Sequence, residues 1–190
     1  THGRLVLYGG LMVLAAVATT VAWVVRDYRP LLPTSVTTVR AVPKPGDELV
    51  IPKLSLTAPI IRDVSDSDEE NYLGALENGV AQLAGSATPD RDGNLFLFGH
   101  SSYFKDRPGD YKEVFKTLDQ LQPGDRFSVH FDAKRYEYDV VETKVVTPTD
   151  WSITEPQVEG AARTLTLMTC WPPGSLAKRL AVIARQVNPL

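Results

Sequence analysis

The chain holds one cysteine, Cys170, three histidines, and an arginine, Arg179, nine positions beyond the cysteine. A lone thiol forms no disulfide within its chain and no multi-cysteine metal site, so it is either a small buried hydrophobe or a reactive group. Its surroundings favour reactivity. The alternation in Thr164-Leu165-Thr166-Leu167-Met168-Thr169 runs up to Cys170, and Trp171-Pro172-Pro173-Gly174 then ends the strand beside a stiffened loop. Ligand sites concentrate at such strand ends. His2 precedes a long apolar run, and His130 alternates against Phe127, Val129 and Phe131, so it faces away from them. His100 follows the apolar run Asn94–Phe98 and Gly99, again at a strand end, and is the histidine placed to serve Cys170. An antiparallel return through the loop that ends in Lys178 brings Arg179 to the same end of a sheet. A thiol, an imidazole and a guanidinium supply the nucleophile, the acid/base and the oxyanion partner that acyl transfer at a carbonyl requires. Taken by itself, Arg179 is equally an exposed cation that deters edge pairing.

Short runs rich in Val, Ile, Phe and Thr must position these groups. Strands are predicted at 48–52, 56–61, 94–98, 126–131, 136–146, 163–169 and 179–187, most of them bounded by Gly, Pro, Asp or Asn. Helices are predicted at 68–79, closed by Gly79, and at 110–121, where Val114, Phe115, Leu118 and Leu121 share a face. Pro123-Gly124-Asp125 marks a turn. Strands are numerous, short and not regularly interleaved with helices. The expected fold class is therefore mainly β, an antiparallel barrel or sandwich with a few helices in its connections.

Other motifs fail their own tests. Gly99-His100-Ser101-Ser102-Tyr103 lacks the second glycine of a hydrolase elbow, and Ser175-Leu176-Ala177-Lys178 has neither SDN nor KTG to accompany it. No HExxH, P-loop or GxGxxG occurs. The acidic run Asp63, Asp66, Asp68, Glu69, Glu70 lacks EF-hand spacing, and acids at the start of a helix explain it better than calcium. No cofactor and no metal site are expected.

Charge is polarised along the chain. Leu5–Val25 carries no charge, whereas residues 46–190 hold 15 basic and 22 acidic side chains, which argues against a nucleic-acid partner. A hydrocarbon core about 30 Å thick needs roughly 20 apolar residues in a helix. Residues 5–25 meet that length, with Tyr8 and Trp23 near the two ends. A retained membrane anchor is favoured over a signal peptide cleaved after Ala16-Val17-Ala18, because the apolar run continues to Val25. Either reading carries the body out of the cytoplasm. Arg4 before the segment and Arg26 and Arg29 after it do not settle the orientation. The expected organisation is a flank (1–4), a transmembrane anchor (5–25), a proline-rich tether (26–45) and a catalytic domain (46–190).

The body resembles the sortases, cysteine transpeptidases of bacterial cell surfaces. The resemblance rests on Thr166-Leu167-Met168-Thr169-Cys170, on the apolar strand ending in Gly99-His100, and on Arg179-Leu180-Ala181-Val182. Ile51-Pro52-Lys53-Leu54, Ala58-Pro59-Ile60, and Phe115, Leu118, Leu121 and Gly124-Asp125 fit the same pattern. It implies an eight-stranded β-barrel behind a type II single-pass anchor, with the catalytic domain outside the cytoplasm. It also implies Cys170 as nucleophile, His100 as general acid/base, Arg179 as substrate-positioning and oxyanion residue, and Thr169 as a residue orienting substrate or oxyanion. The implied partners are surface proteins bearing an LPxTG-like sorting signal and an amine acceptor, either a peptidoglycan precursor or a pilin lysine. No Asp-Pro-Trp or Asp-Pro-Phe lid of pilin-assembling members is present. Two other readings stay open from the residues: a thiol protease that hydrolyses its peptide, and a non-catalytic, membrane-tethered barrel that binds peptides.

Overall fold

The alternating runs close on one another. In the computed structural model eight strands are formed: β1 (Glu48–Ile51), β2 (Leu56–Val64), β3 (Val80–Leu83), β4 (Gly93–Phe98), β5 (Arg126–Phe131), β6 (Lys134–Val146), β7 (Arg163–Trp171) and β8 (Lys178–Val187). The structure describes residues 43–102 and 109–187, all within Val39–Leu190, one of the chain's two compact units. The flank with His2, the apolar segment 5–25 and the tether up to residue 42 lie outside the described residues. Among the described residues no helix is long and apolar enough to cross a membrane.

Around the closed barrel the order is β1-β2-β3-β4-β7-β8-β6-β5, with β5 pairing back onto β1. The β2/β3 and β4/β7 pairs are parallel and the other neighbours antiparallel. The mainly antiparallel barrel expected from the sequence is the fold found.

Alternation along the strands sorts apolar side chains into two layers. Leu49, Ile60, Leu97, Phe127, Leu167 and Val182 fill the barrel. Ile61, Leu76, Phe96, Phe98 and Ala181 form a second cluster on the outer face, joined by the partly buried Tyr72 and Met168. Burying one such side chain contributes about 1.5–3 kcal/mol.

The outer cluster exists because helix α1 (Glu69–Asn78) covers it with Ala75 and Leu76. Asp68 caps α1, its side chain accepting from the Asn71 amide at 3.1 Å, and Glu69 and Glu70 follow in the first turn, where the helix dipole favours acids. The helix stops at Gly79, where a Cβ would stand 2.3 Å from the Pro59 carbonyl oxygen. The acidic run of the sequence thus supplies a helix start.

Two expectations need correction. Residues 110–121 form no α-helix; they wind as turns and a short 3-10 segment, Leu118–Gln120. Val114, Lys116, Leu118, Gln120 and Leu121 each donate to the carbonyl three residues back, and Phe115, Leu118 and Leu121 are all buried. A spacing of three suits the 3-10 period, and the tighter winding drives all three into the barrel. The second correction is β3, only four residues long and entered directly from Gly79, which the strand pattern did not reveal.

Asp47, only 2% exposed, is paired with Arg62, which also bonds Asp132 at 3.0 Å and lies 3.5 Å over the Phe131 ring. Lys44 pairs with Asp132 from the other side. A buried carboxylate is tolerated because it is paired, and the cluster fastens residues 44–47 onto the β5–β6 turn.

Candidate active site

The thiol and the guanidinium meet by strand register. In the antiparallel β7/β8 pair, Cys170 is the direct partner of Arg179, with Met168 opposite Ala181 one pleat below. In the parallel β4/β7 pair, Phe98 stands opposite Met168, and the Gly99 amide donates to the Met168 carbonyl at 3.1 Å. Two residues further along each chain, His100 arrives at the level of Cys170. Because side chains alternate, Cys170 and Arg179 continue the rows of Met168 and Ala181 on the outer face. The structure therefore brings His100, Cys170 and Arg179 to one end of three adjacent strands.

Thr169 lies on the opposite side of β7. It is 1% exposed, and its hydroxyl donates to the Gly99 carbonyl at 2.8 Å. From beneath, it pins β7 to the residue preceding His100. His130 stands apart, its Nδ1 3.0 Å from a Glu48 carboxylate oxygen on β1.

Each group is held by its backbone. Gly99 must lack a side chain, because a Cβ there would lie 2.8 Å from Val114 Cγ1 and 2.9 Å from Phe115 Cδ2. That close approach lets the Phe115 amide donate to the His100 carbonyl at 2.9 Å. Beyond Cys170 the β7–β8 loop opens with a cis Trp171–Pro172 bond and turns with the Ser175 amide donating to the Pro172 carbonyl at 2.9 Å. Arg179 Nη1 donates to the carbonyls of Leu176 at 3.1 Å and Lys178 at 3.0 Å, so the loop orients the guanidinium.

His100 is partly buried, and desolvation lowers its imidazole from 6.5 to about 4. At neutral pH the ring is uncharged and able to take a proton. The Cys170 thiol is partly exposed, so an incoming carbonyl can reach it. Among the described residues no group of three or more His, Cys, Asp or Glu side chains is arranged to hold a metal ion. A cavity of about 590 Å³ opens beside Asp92, Glu159, Arg163 and Arg185, at the end of β7 remote from Cys170.

One residue of the site was not signalled by the sequence. Tyr72 of α1 stacks on Phe98, ring centroids 5.3 Å apart. Burial raises its phenol above the usual tyrosine range, Cys170 and Asp66 add to that, and Arg179 opposes it. In the sequence Tyr72 belongs to the same helical stripe as Ala75 and Leu76, a pattern that signals packing alone.

Comparison with known proteins agrees with this architecture. Sortase D of Bacillus subtilis (strain 168) is 30% identical over 143 residues, covering 74% of this chain and 63% of that protein. Sortase SrtE1 of Streptomyces coelicolor is 29% identical over 150 residues, covering 74% of this chain and 40% of the relative. The chain thus spans less than two thirds of either relative's length. Among solved structures, the pilus-related sortase C of group B Streptococcus superposes with a TM-score of 0.59 at 26% identity, over 75% of this chain and 66% of that one. A lid mutant of sortase A from Corynebacterium diphtheriae shares the fold, with a TM-score of 0.62 at 24% identity over 80% and 74% of the two chains. The sortase domain model matches residues 49–187, the barrel from the second residue of β1 onward with His100, Cys170 and Arg179, and the chain belongs to the sortase family.

Proposed function

We propose that the chain is a membrane-anchored cysteine transpeptidase that cleaves an LPxTG-like sorting signal and transfers the acyl part to an amine. The observation that carries this reading is the register: Cys170 opposite Arg179, with His100 two residues beyond the Phe98–Met168 pair. The Cys170 sulfur attacks the scissile carbonyl carbon, and the thiol proton passes to the neutral His100 imidazole. Arg179, aimed by the loop carbonyls, stabilises the oxyanion. Collapse breaks the C–N bond, and protonated His100 gives its proton to the departing amine, leaving a thioester on Cys170. The acceptor amine then attacks that thioester, His100 takes its proton, and the sulfur leaves to be reprotonated as the thiol. Thr169 serves from below, holding the Gly99–His100 segment through its hydroxyl.

The donor is a surface protein carrying the sorting signal, and the acceptor is the amine of a peptidoglycan precursor or a pilin lysine. Residues 5–25 form a type II single-pass anchor that places the barrel outside the cytoplasm. The test is product analysis by liquid chromatography with LPxTG-like peptides and an added amine. Cys170→Ala abolishes cleavage and transfer and leaves the thermal midpoint essentially unchanged, since a half-exposed strand-end thiol packs little. Arg179→Lys lowers kcat about 10²–10³-fold, because a point ammonium does not reproduce the planar fork. Near-normal turnover by the lysine variant would remove Arg179 from the reaction. Unfolding of Cys170→Ala would instead mark a packed, inert thiol in a binding module.

A further inference from the structure

A second cation shares the catalytic face and takes no part in the transfer chemistry. On β6, Val146 is the direct partner of Arg179, and Lys144 that of Ala181. Ala181 in turn faces Met168, and Met168 faces Phe98, so Lys144 lies in the row one pleat below Cys170 and Arg179. Lys144 is partly buried. Its ammonium donates to Gln157 Oε1 at 2.8 Å, and Gln157 Nε2 donates to the carbonyls of Ser152 at 2.7 Å and Glu155 at 3.1 Å. The β6–β7 loop thereby holds the lysine head in place.

Fastening the loop needs only a neutral donor, so the charge calls for a separate reason. Lys44, Lys53 and Lys116 each pair with a carboxylate, at Asp132, Asp125 and Glu113 respectively. Among the described residues Lys144 pairs with none, although a charge withdrawn from water is ordinarily matched by an opposite one. Glu142 stands one pleat further from Cys170 and forms no ion pair with it. The Asp150 carboxylate feels the ammonium but accepts from the Ser152 amide at 3.1 Å and hydroxyl at 2.6 Å. Gln157 takes one of the three ammonium protons, leaving two for an incoming acceptor. A carboxylate placed there gains a charge-assisted bond that an amide of the same shape does not.

Position narrows what that carboxylate belongs to. Neighbouring strands lie about 4.8 Å apart and a pleat repeats about every 6.7 Å, so Lys144, two strands and one pleat away, is on the order of 12 Å from Cys170. An extended peptide covers that distance in three or four residues. In an LPxTG-like signal, x is the residue within that reach that is free to carry a charge. We propose that Lys144 is a specificity-determining residue that favours an acidic side chain at x of the donor peptide. This rests on the transpeptidase reading, with attack at Cys170. The selection is local, since residues 46–190 as a whole carry more acids than bases and repel such a peptide at long range.

The test separates recognition from turnover. Fluorescein-labelled LPETG and LPQTG peptides are titrated by anisotropy against full-chain Cys170→Ala, with and without Lys144→Met. The same pair is assayed for kcat/KM in chains that keep the thiol. The expected result is about tenfold tighter binding and about tenfold higher kcat/KM for the acidic peptide, falling to near parity in Lys144→Met. Lys144→Glu reverses the order and favours LPKTG over LPETG. The preference also shrinks toward about 0.5 M salt, as a solvent-accessible charge pair must. Should Lys144→Met fold poorly, Lys144→Gln, which keeps a neutral donor for Gln157, gives the same loss of preference. Equal affinities for LPETG and LPQTG, no binding of either, or a preference that survives removal of the lysine charge would each overturn the proposal. A binding preference that vanishes with the Lys144 charge, in a protein whose wild type transfers neither peptide, would defeat the transpeptidase reading alone and leave Lys144 reading the peptide.

Discussion

Desolvation is what lowers the partly buried His100 imidazole, and that sets the chemistry available to it. Lowered from 6.5 to about 4, it rests uncharged at neutral pH, and in the proposed reaction it receives the thiol proton only as attack begins. A titration of the His100 ring followed by NMR is expected to show a midpoint near 4, and one near 6.5 would mean an open, solvated ring. Stability follows the same linkage. Folding depresses this pKa, so between about pH 6.5 and 4 the unfolded chain binds the proton first. The contribution of His100 is full above that window and is lost as pH falls through it. His100→Gln is therefore expected to flatten the stability–pH curve in that range under urea denaturation. At this scale much was legible in the sequence, because Gly99 before His100 and Trp171-Pro172-Pro173 after Cys170 mark strand ends directly. Tyr72 was not legible, since a tyrosine on an apolar helical stripe does not reveal that its ring stacks on Phe98 beneath the strand ends. Thr169 was legible as part of the block before Cys170, yet its bond to the Gly99 carbonyl depends on a β4/β7 contact that no local pattern encodes.

Elements position the site through close approach of backbones. Residues 110–121 press on Gly99 so tightly that a methyl group there meets Val114 and Phe115 below 3 Å. Gly99→Ala is expected to cost about 1–3 kcal/mol by overpacking and to displace His100, lowering kcat/KM more than thermal stability alone would explain. Urea melts with turnover assays check this, and an alanine variant with wild-type stability and rate would show that the segment yields freely. The strand pattern revealed seven of the eight strands, because period-two alternation is strong in the sequences of β5 and β7 and β4 is a continuous apolar run bounded by glycines. β3 escaped because four residues abutting a helix carry too little periodicity, and it pairs in parallel with β2 through a crossover invisible locally. The 110–121 helix was misjudged for a related reason. Spacings of three and four overlap over so short a run, and only burial of Phe115, Leu118 and Leu121 together decides for the 3-10 winding.

At the scale of the whole molecule, the barrel brings together three strand ends that lie far apart in sequence. His100 and Cys170 are 70 positions apart and are aligned by a parallel pairing whose two strands are separated by all of β5 and β6. That pairing was accessible from the sequence only through family resemblance, whereas the β7–β8 return was accessible from the nine-residue spacing itself. In the proposed function, the uncharged length of residues 5–25 and the prolines after it are what support a barrel tethered at a membrane. The most direct measurement is intact mass of the chain incubated with LPxTG-like peptides, first without and then with an acceptor amine. A mass increment equal to the acyl fragment on Cys170, discharged by the amine into a transfer product and absent in Cys170→Ala, is the expected result. No increment across a broad peptide set, with Cys170 also inert to alkylation, would contradict covalent transfer through this thiol.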